Sequence, residues 1–131
     1  METNTLKVDS DIQDKVLAIE DIKYRLKFMH EMKILNYEDI TKIELIQKSK
    51  CSFKVYLNSE FDLAPLFIVT LQLILGSDYR KEICTLFNHY HMNMDYSNRL
   101  FTTKKYKNGN FIHAKIEDVT KLIKNYIGNG K

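Results

Sequence analysis

The first 75 residues contain no glycine; of the four in the 131-residue chain, the earliest is Gly76. Glycine is the residue that lets backbone run at positive φ or pass close to a phosphate. A phosphate-cradling glycine-rich loop is therefore excluded from the first half, together with linker-like or collagen-like character. Turns in that half must use Asn36, Asn58 and lysines. The later glycines, Gly109, Gly128 and Gly130, fall in an expected hairpin turn and after an expected last helix.

Hydrophobic period divides the chain. Leu6 and Val8 mark a short first strand. Ser10 with Gln13 fits a capping box, and Ile12, Val16, Ile19, Ile22, Leu26 and Met29 recur at three- and four-residue spacing. This predicts an amphipathic helix over residues 11–34, with Lys15, Glu20, Asp21, Lys23, Arg25 and Lys27 on its outer face. From Thr41 the period becomes two: Ile43, Leu45 and Gln47 alternate with Glu44 and Ile46. Phe53, Val55 and Leu57 alternate in the same way with Ser52, Lys54 and Tyr56. Two antiparallel strands are expected, joined around Lys48 to Lys50 by three or more residues, since no glycine supplies a primed turn.

Asp62 as cap and Pro65 in the first turn open a helix through Leu75. It is apolar nearly all round and expected in the middle of the core. Gly76 stops it. Tyr79, Ile83, Leu86, Phe87 and Tyr90 mark another amphipathic helix, followed by a loop over residues 91–97. Asn108-Gly109 between residues 100–106 and 111–116 signals a hairpin. Val119, Leu122, Ile123, Tyr126 and Ile127 form the stripe of a last helix, with Glu117 and Asp118 at its positive end.

Helices interrupted by hairpins point to an α+β fold, with helices packed on an antiparallel sheet. A ferredoxin-like split β-α-β core accommodates residues 5–106, and the C-terminal hairpin strand and helix within residues 99–127 are an addition. No repeat or low-complexity tract interrupts the chain, so residues 1–131 read as one domain. The most apolar run, residues 63–75, contains Pro65, Thr70 and Gln72 and is too short to span a bilayer. No transmembrane segment is expected, and the polar residues 1–6 do not open a secretory leader. Cys51 and Cys84 are too few for a disulfide framework. Both are expected as buried reduced thiols in a cytoplasmic setting, or inside a host cell if the chain is viral.

Charge is unevenly spread. Residues 1–98 hold 12 Lys and Arg against 15 Asp and Glu, a net of −3, whereas residues 99–131 hold 8 against 2, a net of +6. Arg99, Lys104, Lys105, Lys107 and Lys115 lie in or beside the second hairpin, interleaved with Phe101, Tyr106 and Phe111. Lys48, Lys50, Lys54 and Tyr56 repeat the theme on the first. Basic side chains contact phosphates and adjacent aromatics stack on unpaired bases, so DNA or RNA is the expected partner. If both hairpins joined one sheet, the two patches would meet on one face. The plain alternative is that these lysines solubilise the surface and blunt sheet edges. Eight tyrosines and an apolar last helix support a protein partner or self-association as the rival reading.

For chemistry, Asp9, Asp11 and Asp14 cluster at the first strand-to-helix junction. Asp9 and Asp11 point the same way if the chain stays extended there, and two carboxylates can hold Mg²⁺ against a phosphate. First-turn carboxylates that favour a helix N-terminus are the preferred reading. Cys84, His89 and His91, with Asp95 beyond, are zinc-ligand types at poor spacing, with Cys84 expected to be buried. The corner Gly76 to Lys81 offers a helix N-terminus and two cations to an anion, but Asp78 as a cap explains it better. No nucleophile elbow, metal motif or cofactor motif is present, so no cofactor is expected and a non-catalytic protein is favoured, with a Mg²⁺-dependent nucleic-acid enzyme using Asp9 and Asp11 as a further alternative.

Asp9-Ser10-Asp11 after Leu6-Lys7-Val8 resembles the first acidic motif of archaeo-eukaryotic-type primases. That family's later small-x-His strand motif has its nearest counterpart in residues 51–55, where Lys54 stands in place of the histidine. No third acidic motif is found. The resemblance covers fragments only, and the missing histidine implies a non-catalytic relative. Independently of that resemblance, the basic hairpins make the expectation a small non-catalytic nucleic-acid-binding protein, and a compact basic chain with no cofactor motif fits an accessory role in a virus or mobile element.

Overall fold

The computed structural model describes residues 3–92, 104–107, 110–113 and 115–129, with side chains over residues 3–92 and 115–124. The elements run β1 (Thr5–Asp9), α1 (Lys15–Glu31), a 3-10 turn (Tyr37–Asp39), β2 (Ile40–Gln47), β3 (Cys51–Leu57), α2 (Pro65–Ile74) and α3 (Tyr79–Tyr90). They continue with β4 (Lys104–Lys107), β5 (Asn110–His113), β6 (Lys115–Asp118) and α4 (Thr120–Asn129). Four strands form an antiparallel sheet in the order β1-β3-β2-β6, and β4 with β5 forms a separate two-stranded ribbon. The fold is α+β.

Strands β1 and β2, joined through α1, run parallel with β3 inserted between them. That is the split β-α-β. The ferredoxin-like expectation fails at the fourth strand, which such a core adds beside β1. Here β6 pairs with the opposite edge, on β2. The two hairpins do not join one sheet, so the condition for merging their basic patches is not met.

Register explains the core. Leu6 and Val8 of β1 lie opposite Val55 and Phe53 of β3, which in turn face Ile43 and Leu45 of β2. Residues paired across an antiparallel ladder share a face, and this face is buried against Ala18, Ile19, Ile22, Leu26 and Met29 of α1. Ile68 and Val69 of α2, with Val119 and Ile123 around the start of α4, complete the cluster. Each fully buried side chain of this size contributes about 1.5–3 kcal/mol relative to an exposed one.

Helix ends depart from the pattern for identifiable reasons. α1 begins at Lys15 because Asp14 is its N-cap, accepting from the Leu17 N–H at 3.0 Å. Ser10 instead accepts from the Ile12 N–H at 3.1 Å, holding the chain in a local turn before the helix. Ile12 thus precedes the helix and Val16 is exposed. Lys23, expected outside, is buried, with its Nζ 3.3 Å from Glu20 at the helix rim. At the other end Lys33 sits at φ +59°, with Ile34 N–H on the Met29 carbonyl and Lys33 N–H on that of His30. This is a Schellman closure made without glycine.

α2 has Ala64 at its N-cap and Pro65 in the first turn, and Asp62 does not cap it. It too ends in a Schellman closure, with Gly76 at φ +96°, Ser77 N–H on Gln72 and Gly76 N–H on Leu73. Arg25 adds an N–H to the Ile74 carbonyl at 3.1 Å. Only one side of α2 enters the core; Leu66, Phe67 and Leu73 are exposed, as is Leu122 on α4. Cys51 is buried, and burial pushes its thiol pKa up. Cys84 is exposed, contrary to expectation, because α3 turns that side outward. Among the described residues, no helix is long and apolar enough to cross a membrane.

Candidate functional site

The first hairpin places Lys54 and Tyr56 on the sheet face opposite α1 and Lys48 and Lys50 in its loop. Lys7, Lys54, Glu44 and Asp118 form one row across the four strands, and Thr5, Tyr56 and Lys42 form the next. Two cations therefore share the first row with two carboxylates. The Tyr56 hydroxyl donates to Glu44 Oε1 at 2.6 Å, and Lys42 Nζ lies 3.3 Å from Glu44 Oε2 and 5.8 Å from the Tyr56 ring centre. The Tyr56 hydroxyl, more than the adjacent Lys42, holds the Glu44 carboxyl below its ordinary pKa. Lys50 is bound at 2.9 Å to Asp11. Lys48, in the three-residue loop between β2 and β3, donates its backbone N–H to the Lys50 carbonyl. Lys50 and the neighbouring Lys42 are thus already matched by carboxylates.

The C-terminal third differs. In the ribbon, Lys104, Lys105, Tyr106 and Lys107 pair with His113, Ile112, Phe111 and Asn110. Their side chains, and all of Arg99 and Phe101, lie outside the described residues. Lys115 on β6 and Lys121 on α4 are exposed, and neither makes an ion pair among the described residues. Lys124 serves the fold, donating to the Ile40 carbonyl at 2.7 Å. The Thr120 hydroxyl, and after it the Thr120 backbone N–H at 2.9 Å, donate to Asp118 and lower its pKa.

The three aspartates at the β1–α1 junction are separately engaged. Asp9 is buried, and its Oδ1 accepts the Ser52 hydroxyl at 2.8 Å. Asp11 is exposed on Lys50, and Asp14 caps α1. Neither they nor Cys84, His89 and His91 form a metal cluster; no group of three or more His, Cys, Asp or Glu fit to hold a metal occurs among the described residues. His91 lies against the Phe87 ring, 4.9 Å between centres, and His89 is edge-on to Tyr90. Asp95 is outside the described residues. At the Gly76 to Lys81 corner, Asp78 accepts Arg80 N–H at 2.9 Å and takes the Arg80 guanidinium through both oxygens. This pairing lowers the Asp78 pKa. The corner is a capped helix start.

What the sequence reading missed is a buried polar cluster on the outer edge of β1. Lys7 N–H donates to Gln72 Oε1 at 2.8 Å, and the Lys7 carbonyl accepts Lys81 Nζ at 2.9 Å. Asp9 N–H donates to Ser77 Oγ at 3.0 Å, and the Asp9 carbonyl accepts Asp78 N–H at 2.8 Å. Behind them Glu82 binds Gln72 Nε2 through both oxygens at 2.8 Å, and its Oε1 also takes Ser77 and Lys81, each at 3.0 Å. Gln72, Lys81 and Glu82 are no more than 1% exposed. An open edge strand is a template for unwanted pairing; here side chains replace the missing strand. The one signal in the sequence was Gln72 inside an otherwise apolar run. The site closes an edge and reaches no solvent, so it is structural.

Comparison of the chain with protein-family models, with curated proteins and with solved structures finds no match.

Proposed function

We propose that the chain is a non-catalytic nucleic-acid-binding protein that contacts DNA or RNA through its basic C-terminal third. One observation carries the reading: 8 Lys and Arg against 2 Asp and Glu in residues 99–131 coincide with a two-stranded ribbon that stands outside the main sheet. A β-ribbon of this kind fits a nucleic-acid groove, and lysines along one of its strands neutralise successive phosphates. Lys115 and Lys121, exposed and without ion pairs among the described residues, extend the same charge. Lys42 and Lys50 contribute little, because Glu44 and Asp11 already hold them. The reading therefore rests chiefly on the second hairpin, with Lys48 and Lys54 of the first as flanking contacts. The engagement of Asp9 by Ser52 and of Asp11 by Lys50 supports binding without metal-dependent turnover.

The free thiol at Cys51 suits an intracellular setting, in a cell or in a virus-infected host. The test is charge reversal at two places. Lys104, Lys105 and Lys107 changed together to Glu should abolish binding to a labelled oligonucleotide. Lys42→Glu with Lys50→Glu should leave it within about threefold. Equal losses from the two sets, or none from the first, would overturn the assignment to the C-terminal third.

A further inference from the structure

We infer that α3 is a dimerisation helix whose outer face packs antiparallel against α3 of a second copy of this chain. α3 is amphipathic in the wrong sense for a monomer. Its inward side carries Lys81 and Glu82 into the edge-closing cluster, while Tyr79, Ile83, Phe87 and Tyr90 are 52–63% exposed. Those four recur at spacings of four, four and three, which places them on one continuous stripe. Single exposed apolar residues are ordinary, but a stripe running the length of a helix marks an interaction surface.

The second copy fits because the stripe complements itself. Laid antiparallel across a two-fold axis near Cys84, Tyr79 of one helix meets Tyr90 of the other, and Ile83 meets Phe87. Such isologous pairing is the commonest form of homodimer. Charge agrees with it. No carboxylate lies on the exposed side of α3 to be buried by the pairing. Area agrees as well. Four half-exposed side chains of this size offer on the order of 100 Å² each, so two copies remove about 800 Å² of apolar surface. Arg80, Asn88 and His91 at the rim bring the total near the roughly 1,200 Å² at which specific interfaces begin. The inference is independent of the nucleic-acid reading.

Sedimentation equilibrium of the nuclease-treated full chain tests it. The mass should rise with concentration from 15.5 kDa toward twice that value, and it should hold in high salt, since the contact is apolar. Phe87→Glu buries two unpaired carboxylates per dimer and should weaken association at least about a hundredfold, with unchanged circular dichroism. Ile83→Gln should act in the same direction more mildly. A short bis-maleimide should join two copies through Cys84, whereas Cys51 is buried, and Cys84→Ser should abolish the product. A 15.5 kDa mass at all concentrations would overturn the inference. So would a wild-type association curve for Phe87→Glu, or association that disappears with nuclease treatment.

Discussion

Changing Lys81 to Met tests whether the β1 edge is held by the buried cluster. Lys81 is 1% exposed and Glu82 fully buried, and the Lys81 ammonium donates to both the Lys7 carbonyl and Glu82 Oε1. Burial pushes the ammonium pKa down, against the pull of Glu82. Met fills a similar volume but leaves Glu82 without its countercharge and removes the Lys81 donor from Lys7. Removing one partner of a buried pair costs about 3–5 kcal/mol, a large part of a domain's total of roughly 5–15 kcal/mol. Urea unfolding followed by circular dichroism at neutral pH should show that loss as a lower midpoint at unchanged slope. Adding Glu82→Gln removes the stranded charge while keeping an acceptor for Ser77, and should recover more than half of it. A single-variant loss below about 1 kcal/mol, or a double variant no better than the single, would refute the reasoning.

Three smaller perturbations read other parts of the fold. Gly76→Ala places a Cβ 3.0 Å from Arg25 Nε at φ +96°, and should lose about 1–2 kcal/mol in urea unfolding; no loss would contradict the Schellman closure. Lys33→Gly relieves a left-handed residue at φ +59° and should gain about 0.5–1 kcal/mol, while a loss would contradict it. Burial, with Glu31 adding to it, raises the Tyr37 phenol to about 12, against about 10 in the unfolded chain. Between those values the unfolded chain loses a proton that the folded one keeps, so stability falls as pH rises through that window. Tyr37→Phe should flatten that fall. At neutral pH it also removes a buried hydroxyl with no hydrogen-bond partner among the described residues, so stability there should hold or rise. Urea midpoints at neutral pH and near pH 11 check both, and an unchanged alkaline slope would contradict the assignment.

The parts of the fold legible in the sequence were those governed by local period. Alternation in residues 43–47 and 53–57 located β2 and β3 and their buried face, and the spacing from Ile19 to Met29 located the buried side of α1. Period cannot say which edge receives the last strand, and β6 went to β2 because α2 and α3 had closed β1. Period also misled at α3. There Tyr79, Ile83, Phe87 and Tyr90 look like a core stripe, but Lys81 reaches the Lys7 carbonyl on β1 and Glu82 takes Gln72 and Ser77, and the helix turns to supply them. Long-range pairing likewise decided the first hairpin. Nothing adjacent in the chain announces that Lys50 meets Asp11 or that Tyr56 meets Glu44.

The most direct test of the central claim is an oligonucleotide-binding titration at two salt concentrations. Contacts by Lys104, Lys105, Lys107 and Lys115 to four phosphates should weaken binding about 50-fold on a single strand, or about 150-fold on a duplex, between about 50 and 200 mM salt. Replacing the three ribbon lysines with Ala should remove roughly three quarters of that logarithmic slope. Binding that ignores salt, or no binding at the lower concentration, would contradict the account.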